Sequence, residues 1–362
     1  MSDSVLVVRD FLSRRVLGEV PWASLEYETR MNGAGRLTAL IAAYQGGASE
    51  ILLPGRMLVG VLRDGVPVWS GVLWKRGISS DARIAIQADE PLSYWDRRRV
   101  RDDLSFTQID QAAILSTLID FPQRTENGSL GIELAGVTTT GVLRDRYYLA
   151  QERKIYGEMI RQLLGVLDGC DLVSDPVIRN ETWVDRFRLA YPRLGRSVAE
   201  SRLVFEVGEN CTVQSWDEDA YSSATRVDAI GAAGVGSSVP IVSTHWAPNL
   251  HAAGWPVLDD TLVYTDVSVP TTLAQKSRGD LSARAGAILS IKIQVTAEQD
   301  PAPGTYGPGD DCRLIVPAGP VFSSGVDVTL RIGSVKVNAG QRDLATVELL
   351  PQIVSGTEIL PL

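Results

Sequence analysis

Few residues in this chain could do chemistry. It has two histidines, His245 and His251, six apart in a stretch rich in proline and tryptophan. A metal site there would need one or two more ligands, and Asp259 and Asp260 are the candidates by sequence. Two loop histidines with surface roles are the simpler reading. Acidic clusters stand at Asp217-Glu218-Asp219, Asp259-Asp260 and Asp310-Asp311. Paired carboxylates can do glycosidic acid–base work or bind calcium. No Asp-x-Asp-x-Asp-Gly loop is present, so solvated turns account for them better. Gly231–Gly236 is glycine-rich after a strand but has neither nucleotide-binding order, and reads as a flexible loop. Cys170, Cys211 and Cys312 form no C-x-x-C pair and leave one thiol over. That argues against a disulfide framework and for assembly in a reducing compartment. Histidine is the usual acid–base residue near neutral pH. With so little of it, the sequence points to no catalytic, metal-binding or cofactor-binding residue, and the chain reads as non-enzymatic.

The remaining composition is that of a folded protein. Hydrophobic residues make up 44% and charged residues 22%, ordinary for a globular chain. Its 362 residues suggest two or three domains. No apolar run approaches the ~20 residues of a membrane helix, and no signal peptide opens the chain. The net charge of −9 disfavours general binding to phosphates. Among 35 basic residues only five are lysine. The arginine excess reflects either a GC-rich coding genome or use at interfaces, where guanidinium forks pair well with carboxylates.

Short β-branched runs fill the first hundred residues. Turn signals separate them at Asn32-Gly33, Gly46-Gly47, Pro54-Gly55 and Asp64-Gly65. The Asp-Gly between Met57–Arg63 and Val66–Trp74 marks a tight hairpin. The character changes at the aromatic and basic joint Pro91–Arg99. Thr107–Leu118 then reads as a helix with Thr107 as N-cap. A second helix is expected over Lys154–Asp168, with Leu163, Leu164 and Leu167 on its apolar stripe. From Leu203 the pattern returns to β. Residues 239–265 read as a long loop or excursion, and Thr272–Ala287 as a helix.

The expected fold is α+β, mostly β, with two similar small β-barrel domains flanking a middle α+β domain. The N-terminal barrel spans 1–100 and the middle domain 101–205. The C-terminal barrel spans 206–362, with a loop and helix excursion at about 231–287. The case for similar barrels is an internal echo. Pro54-Gly55, a strand, a long strand and an alternating strand ending at Pro91 recur as Pro308-Gly309, Cys312–Val316, Val326–Val335 and Leu344–Pro351. The echo is either shared β grammar or two related barrels.

Five tryptophans carry weight as interface candidates: Trp69, Trp74, Trp95, Trp246 and Trp255. Trp69 and Trp74 are five apart, so on a regular strand they face opposite sides. One packs in the barrel and the other is free to face a neighbour. Arg97, Arg98 and Arg99, with Arg101, form either a solvated joint or an inter-subunit clamp to acids.

The layout resembles the baseplate hub, or tail-associated (Tal-like), proteins of long-tailed bacteriophages. It is also similar to the hub of contractile tails and the first part of secretion-system spike proteins. The likeness rests on Asp89-Glu-Pro-Leu-Ser-Tyr-Trp-Asp-Arg-Arg98 and the helix after it. It rests also on Tyr306-Gly-Pro-Gly-Asp-Asp-Cys-Arg-Leu314, Arg331-Ile-Gly-Ser-Val335 and Ala345-Thr-Val-Glu-Leu349. Residues 231–285 match least. The resemblance implies a homotrimer forming a pseudo-sixfold ring between a sixfold tube and a threefold tip. It implies the distal tail ring protein, the tape measure protein and other tail-tip proteins as partners. It implies a place in the virion after assembly in the host cytoplasm, with genome DNA passing through unbound. The lumen is then expected to be neutral or acidic. Many relatives carry a C-terminal hydrolase or receptor-binding part, which is expected to be absent after Leu362. A hexameric distal tail ring protein is the alternative, and a carbohydrate-binding or glycosidase module of the virion is a third reading.

Overall fold

The computed structural model describes residues 3–42, 51–79, 83–166, 168–233, 238–264, 267, 269–296, 299–340, 343–355 and 358–360. The turn expected at Gly46-Gly47, residues 234–236 of the glycine-rich loop, and Leu167 lie outside them. Strand dominates, at 48% against 16% helix, as expected for a mostly β chain. Among the described residues no helix is long and apolar enough to cross a membrane. The chain forms two compact units. The first is Met1–Thr212 with Gln294–Glu348, and the second is Val213–Ile293 with Leu349–Leu362.

The first unit opens with seven strands: β1 (Ser4–Asp10), β2 (Val16–Val20), β3 (Ser24–Arg30), β4 (Arg36–Ala42), β5 (Met57–Arg63), β6 (Val66–Ile78) and β7 (Arg83–Asp89). The Asp-Gly hairpin forms as expected. Asp64 and Gly65 take φ of 52° and 79°, and Arg63 pairs with Val66. Two positive φ values are what a type I′ turn demands.

A joint helix, α1 (Leu92–Trp95), leads to β8 (Leu104–Asp110), α2 (Gln111–Asp120), β9 (Glu133–Gly136), β10 (Leu143–Tyr148) and α3 (Tyr156–Leu164). Then come β11 (Asp171–Ser174), the hairpin β12 (Val177–Arg179) and β13 (Thr182–Val184), and β14 (Arg186–Ala190). Strand β14 pairs antiparallel with β11 and parallel with β9. One core unites these elements. Trp95, Leu115, Leu118, Ile160, Leu163 and Phe187 are all buried in it.

The helix at α2 starts later than its pattern suggests. Thr107 lies in β8 and its hydroxyl meets the Tyr147 hydroxyl at 2.9 Å. Asp110 is the cap, its Oδ1 accepting from the Ala112 N–H at 2.8 Å. Its other oxygen accepts from the Thr140 and Gly141 N–H groups. A carboxylate that ties down a distant loop as well as a helix start outcompetes a hydroxyl. Burial pushes the Asp110 carboxyl up, but the donors at Thr140, Ala112 and Gly141 outweigh it and hold it below its ordinary value.

After α4 (Val198–Ser201) and β15 (Val204–Glu206), strand β16 (Cys211–Asp219) leads into the second unit. There β17 (Arg226–Ala233) lies between β18 (Pro240–Trp246) and β19 (Asp259–Tyr264). Short α5 (Pro248–Ala252) joins the last two, and α6 (Pro270–Ser282) packs on β17 and β18. The long loop expected over 239–265 is therefore two strands and a helix. Two of its three prolines, Pro240 and Pro248, sit at a strand start and in the first turn of α5, where a missing N–H does little harm.

Strand β20 (Ala287–Thr296) leads out, alternating buried and half-buried residues throughout. Three strands complete the first unit: β21 (Asp311–Val316), β22 (Val326–Ala339) and β23 (Leu344–Leu349). Strands β24 (Gln352–Ser355) and β25 (Glu358–Leu360) follow, β24 pairing with β20.

The two expected barrels are not found. The first unit's sheet runs β2-β1-β5-β6-β7-β4-β3-β22-β23 as one open antiparallel path. Strand β3 sets Arg30 against Ser334 and Leu25 against Ala339 of β22. An unpaired edge is a liability that a neighbouring strand removes. Here the edge left by the N-terminal strands is covered by a strand from some 300 residues later, so neither set needs to close on itself.

Candidate functional site

The interface candidates fall into two groups by unit. In the first, the joint around α1 consumes most of them. Trp95 is fully buried, with its Nε1–H donating to the Ile119 carbonyl at 3.3 Å. Its ring lies 5.5 Å from Phe187 and meets Tyr94 edge-on at 5.9 Å. Arg98 stacks over Tyr94 at 5.4 Å and donates to its hydroxyl at 2.7 Å and to the Gly128 carbonyl at 3.0 Å. Asp96 holds Arg161 of α3 at 2.5 Å. A Cβ on Gly157 would stand 2.0 Å from the same carboxylate, so only glycine admits that approach. Arg97 and Arg99 remain exposed.

Trp69 and Trp74 both serve the unit itself. Trp69 is fully buried and donates its Nε1–H to the Glu28 carbonyl at 2.8 Å. Trp74 is the extra residue where the β6–β7 register shifts between Leu73 and Lys75. It is half-buried against the α1 core and donates to Ser93 Oγ at 2.8 Å. Trp69 and Trp95 thus have no surface to offer a partner.

Glu90 sits in the same joint and is fully buried. Its Oε2 accepts from the Gly35 N–H at 2.7 Å, while Oε1 has no hydrogen-bond partner. Burial raises its carboxyl well above the ordinary value, against the opposing Gly35 and Arg30 donors. Burial with one oxygen unpartnered disfavours the charged carboxylate.

The second unit presents its candidates differently. Helix α6 covers one face of its three-stranded sheet, where Val227 and Ala229 are buried. On the other face Arg226 stands between Trp246 and Asp259. Its guanidinium lies 4.7 Å over the Trp246 ring and grips both oxygens of Asp259. Trp246 is 46% exposed, and the next apolar row bears exposed Val242 and Val263. Trp255 is half-buried against Ala224, Leu250 and Leu281.

The residues weighed for metal or carboxylate chemistry are engaged elsewhere. Asp259 is bound by Arg226 and Asp260 by Arg284. Asp310 takes Arg196 at 2.7 Å, and Asp311 takes Arg193 at 2.5 Å. Asp217, Glu218 and Asp219 are exposed on β16. Among the described residues no group of three metal-ligating side chains converges. All three cysteines are free and buried.

Sequence reasoning missed the firmest polar cluster. Arg9, fully buried in β1 where its register with β2 shifts, makes a bidentate pair with Asp185, both bonds 2.9 Å. It also donates to Ser70 at 2.7 Å and lies 4.5 Å over the Trp183 ring. Trp183 in turn donates to Asp185 at 2.8 Å, and a Cβ on Gly60 would strike its ring at 2.5 Å. This cluster pins the β12–β13 hairpin to the sheet. A second clamp joins the Asn32-Gly33 turn to β11. Asn32 exchanges bonds with Leu172, while Asp171 takes Arg331 at 2.6 Å. The Asn-Gly signal marked that turn but said nothing of its partner.

No family model and no curated protein matches the sequence. Solved structures do match, and the fold they share is that of phage tail proteins. The tail protein from Neisseria meningitidis MC58 superposes with a TM-score of 0.61 at 11% identity, over 96% of each chain. The 43 kDa tail protein of prophage MuSo2 from Shewanella oneidensis gives 0.61 at 12% identity, over 96% of this chain and 98% of that one. An Escherichia coli type VI secretion component, described as similar to the T4 tail proteins gp27 and gp5, gives 0.51 at 13% identity. It is matched over 95% of this chain and 76% of its own.

Proposed function

We propose that this chain is a structural hub protein of a phage tail tip, acting as a homotrimeric ring between a sixfold tail tube and a threefold tip. The observation that carries this reading is the match to tail proteins from end to end, covering nearly all of both chains. In this reading the two β stretches per chain that echo each other give three copies six similar contacts toward a sixfold tube. The distal tail ring protein, the tape measure protein and other tip proteins are the proposed neighbours. The virion is the proposed location. DNA passes through without specific binding, which suits a chain carrying −9. Exposed Trp246, Arg97 and Arg99 remain the best candidates for contact with a neighbour. Copy number tests the reading. Native mass spectrometry and a cryo-EM ring should show three copies. Six would favour a distal tail ring protein instead, and a stable monomer at micromolar concentration would overturn the hub. A strongly positive lumen would sink the conduit.

A further inference from the structure

Helix α6 is fastened to its sheet by a short chain of hydrogen bonds through a histidine. His245 Nε2 receives the Arg278 Nε–H at 2.9 Å, and Nδ1 meets Ser277 Oγ at 3.1 Å. An arginine can only donate, so Nε2 must be the bare nitrogen and Nδ1 must carry the proton. The Ser277 hydroxyl then accepts from His245 and is left to donate. Its possible acceptors are the Val227 carbonyl at 3.3 Å and the Ser243 carbonyl at 3.2 Å. The direction is therefore fixed from Arg278 through His245 and Ser277 to the backbone of β17 or β18. Ser277 is fully buried, so the chain ends inside the helix–sheet contact.

We propose that His245 is a proton-sensitive fastening: neutral, it seats α6 on the sheet; protonated, it loosens that helix. A second proton can go only to Nε2, where it faces the Arg278 N–H. The bond is lost and two cations face each other across the gap. The charged groups described nearby are engaged elsewhere. On α6, Lys276 lies over the Tyr264 ring and Asp280 is bonded to the Tyr264 hydroxyl. On β17, Arg226 is held by Asp259 and Asp228 by Thr244. On α5, His251 sits against Trp246. Among the described residues no carboxylate hydrogen-bonds His245. Partial burial and the Arg278 charge both lower its proton affinity, in the same direction as the geometry.

Hydrogen exchange on the full-length chain tests this. Protection of the α6 amides, corrected for intrinsic rates, should fall severalfold between about pH 8 and about pH 5, the window in which histidine changes charge. The β17 amides should move less. His245→Gln keeps a donor and an acceptor but cannot titrate, so its α6 protection should stay level. Arg278→Gln removes the opposing cation and should shrink the fall. A level wild-type profile overturns the proposal, as does an undiminished fall in either variant. Nitrogen NMR of the unmutated protein adds a check free of folding effects. Nε2 should be unprotonated at neutral pH, and a proton found there refutes the fastening. Neither readout depends on copy number, so the hub reading can fail without touching this one.

Discussion

The interior of the first unit and the three-stranded sheet of the second use the same residue types to opposite ends. In that interior, tryptophan, arginine and carboxylate are turned inward. Trp95 is fully buried, and Arg9 and Asp185 pair without solvent. In the sheet, Trp246, Arg226 and Asp259 make a similar trio at the surface. Residue type alone does not say whether an aromatic–arginine–acid set holds a fold together or waits for a partner. Depth decides, because charges in water are nearly worthless to each other and buried ones are not.

That contrast breaks first at Arg9–Asp185. Changing Asp185→Ala leaves a buried guanidinium without its counter-charge, which costs about 3–5 kcal/mol. It should lower the denaturant midpoint of the first unit sharply and free the β12–β13 hairpin to proteolysis. A change under about 1 kcal/mol would mean the cluster is wetter than its geometry implies. Trp95→Ala comes next, at about 3–5 kcal/mol for an emptied aromatic site. Trp246→Ala is its counterpart and should leave the unfolding midpoint almost unmoved. If Trp246 touches a neighbour, the loss appears instead as dissociation in a mass measurement. Asp110→Ala should cost about 0.5–2 kcal/mol as a lost N-cap. Faster amide exchange at Thr140 and Gly141 should accompany it, since the same carboxylate holds both.

Local features were legible in the sequence because their causes are local. The Asp64-Gly65 hairpin needs two left-handed residues and the letters supply them. The apolar stripe of α3 needs only its spacing, with Met159, Ile160, Leu163 and Leu164 buried as expected. What stayed hidden depends on partners far along the chain. Nothing near Arg30 announces that Ser334 will stand opposite, so the pattern suggests two barrels where the structure has one open sheet. Nothing near Arg9 announces Asp185, 176 residues away. The helix pattern points to Thr107 as the cap because Asp110's other ligands, at 139–141, cannot be seen from it. By type the tryptophans are interface candidates, but burial assigns Trp69 and Trp95 to the fold and leaves Trp246 at the surface.

Glu90 sharpens the comparison through pH. Its folded proton affinity is raised, so the folded state holds a proton that the unfolded chain releases above its ordinary value of 4.5. Stability from this group is therefore full in acid and declines as pH rises through that value toward the folded one. Glu90→Gln mimics the protonated form. It should flatten the decline, giving a higher unfolding midpoint than wild type at neutral pH and little difference in mild acid. An unchanged slope would show that the carboxyl ionises freely in place.

The smallest expected effect belongs to the surface pair. Asp259→Asn removes the charge that Arg226 grips but leaves an amide oxygen in nearly the same place. Arg226 also keeps its seat over Trp246, and water replaces whatever attraction is lost. The unfolding midpoint should therefore be indistinguishable from wild type in moderate salt, with at most a slight loss at low ionic strength. An effect comparable to that of Asp185→Ala would erase the distinction between the two regions. It would mean that the Trp246–Arg226–Asp259 row is dry in solution. For a row that this chain leaves exposed, dryness requires a covering partner, and the variant's copy number would show whether that partner is another copy.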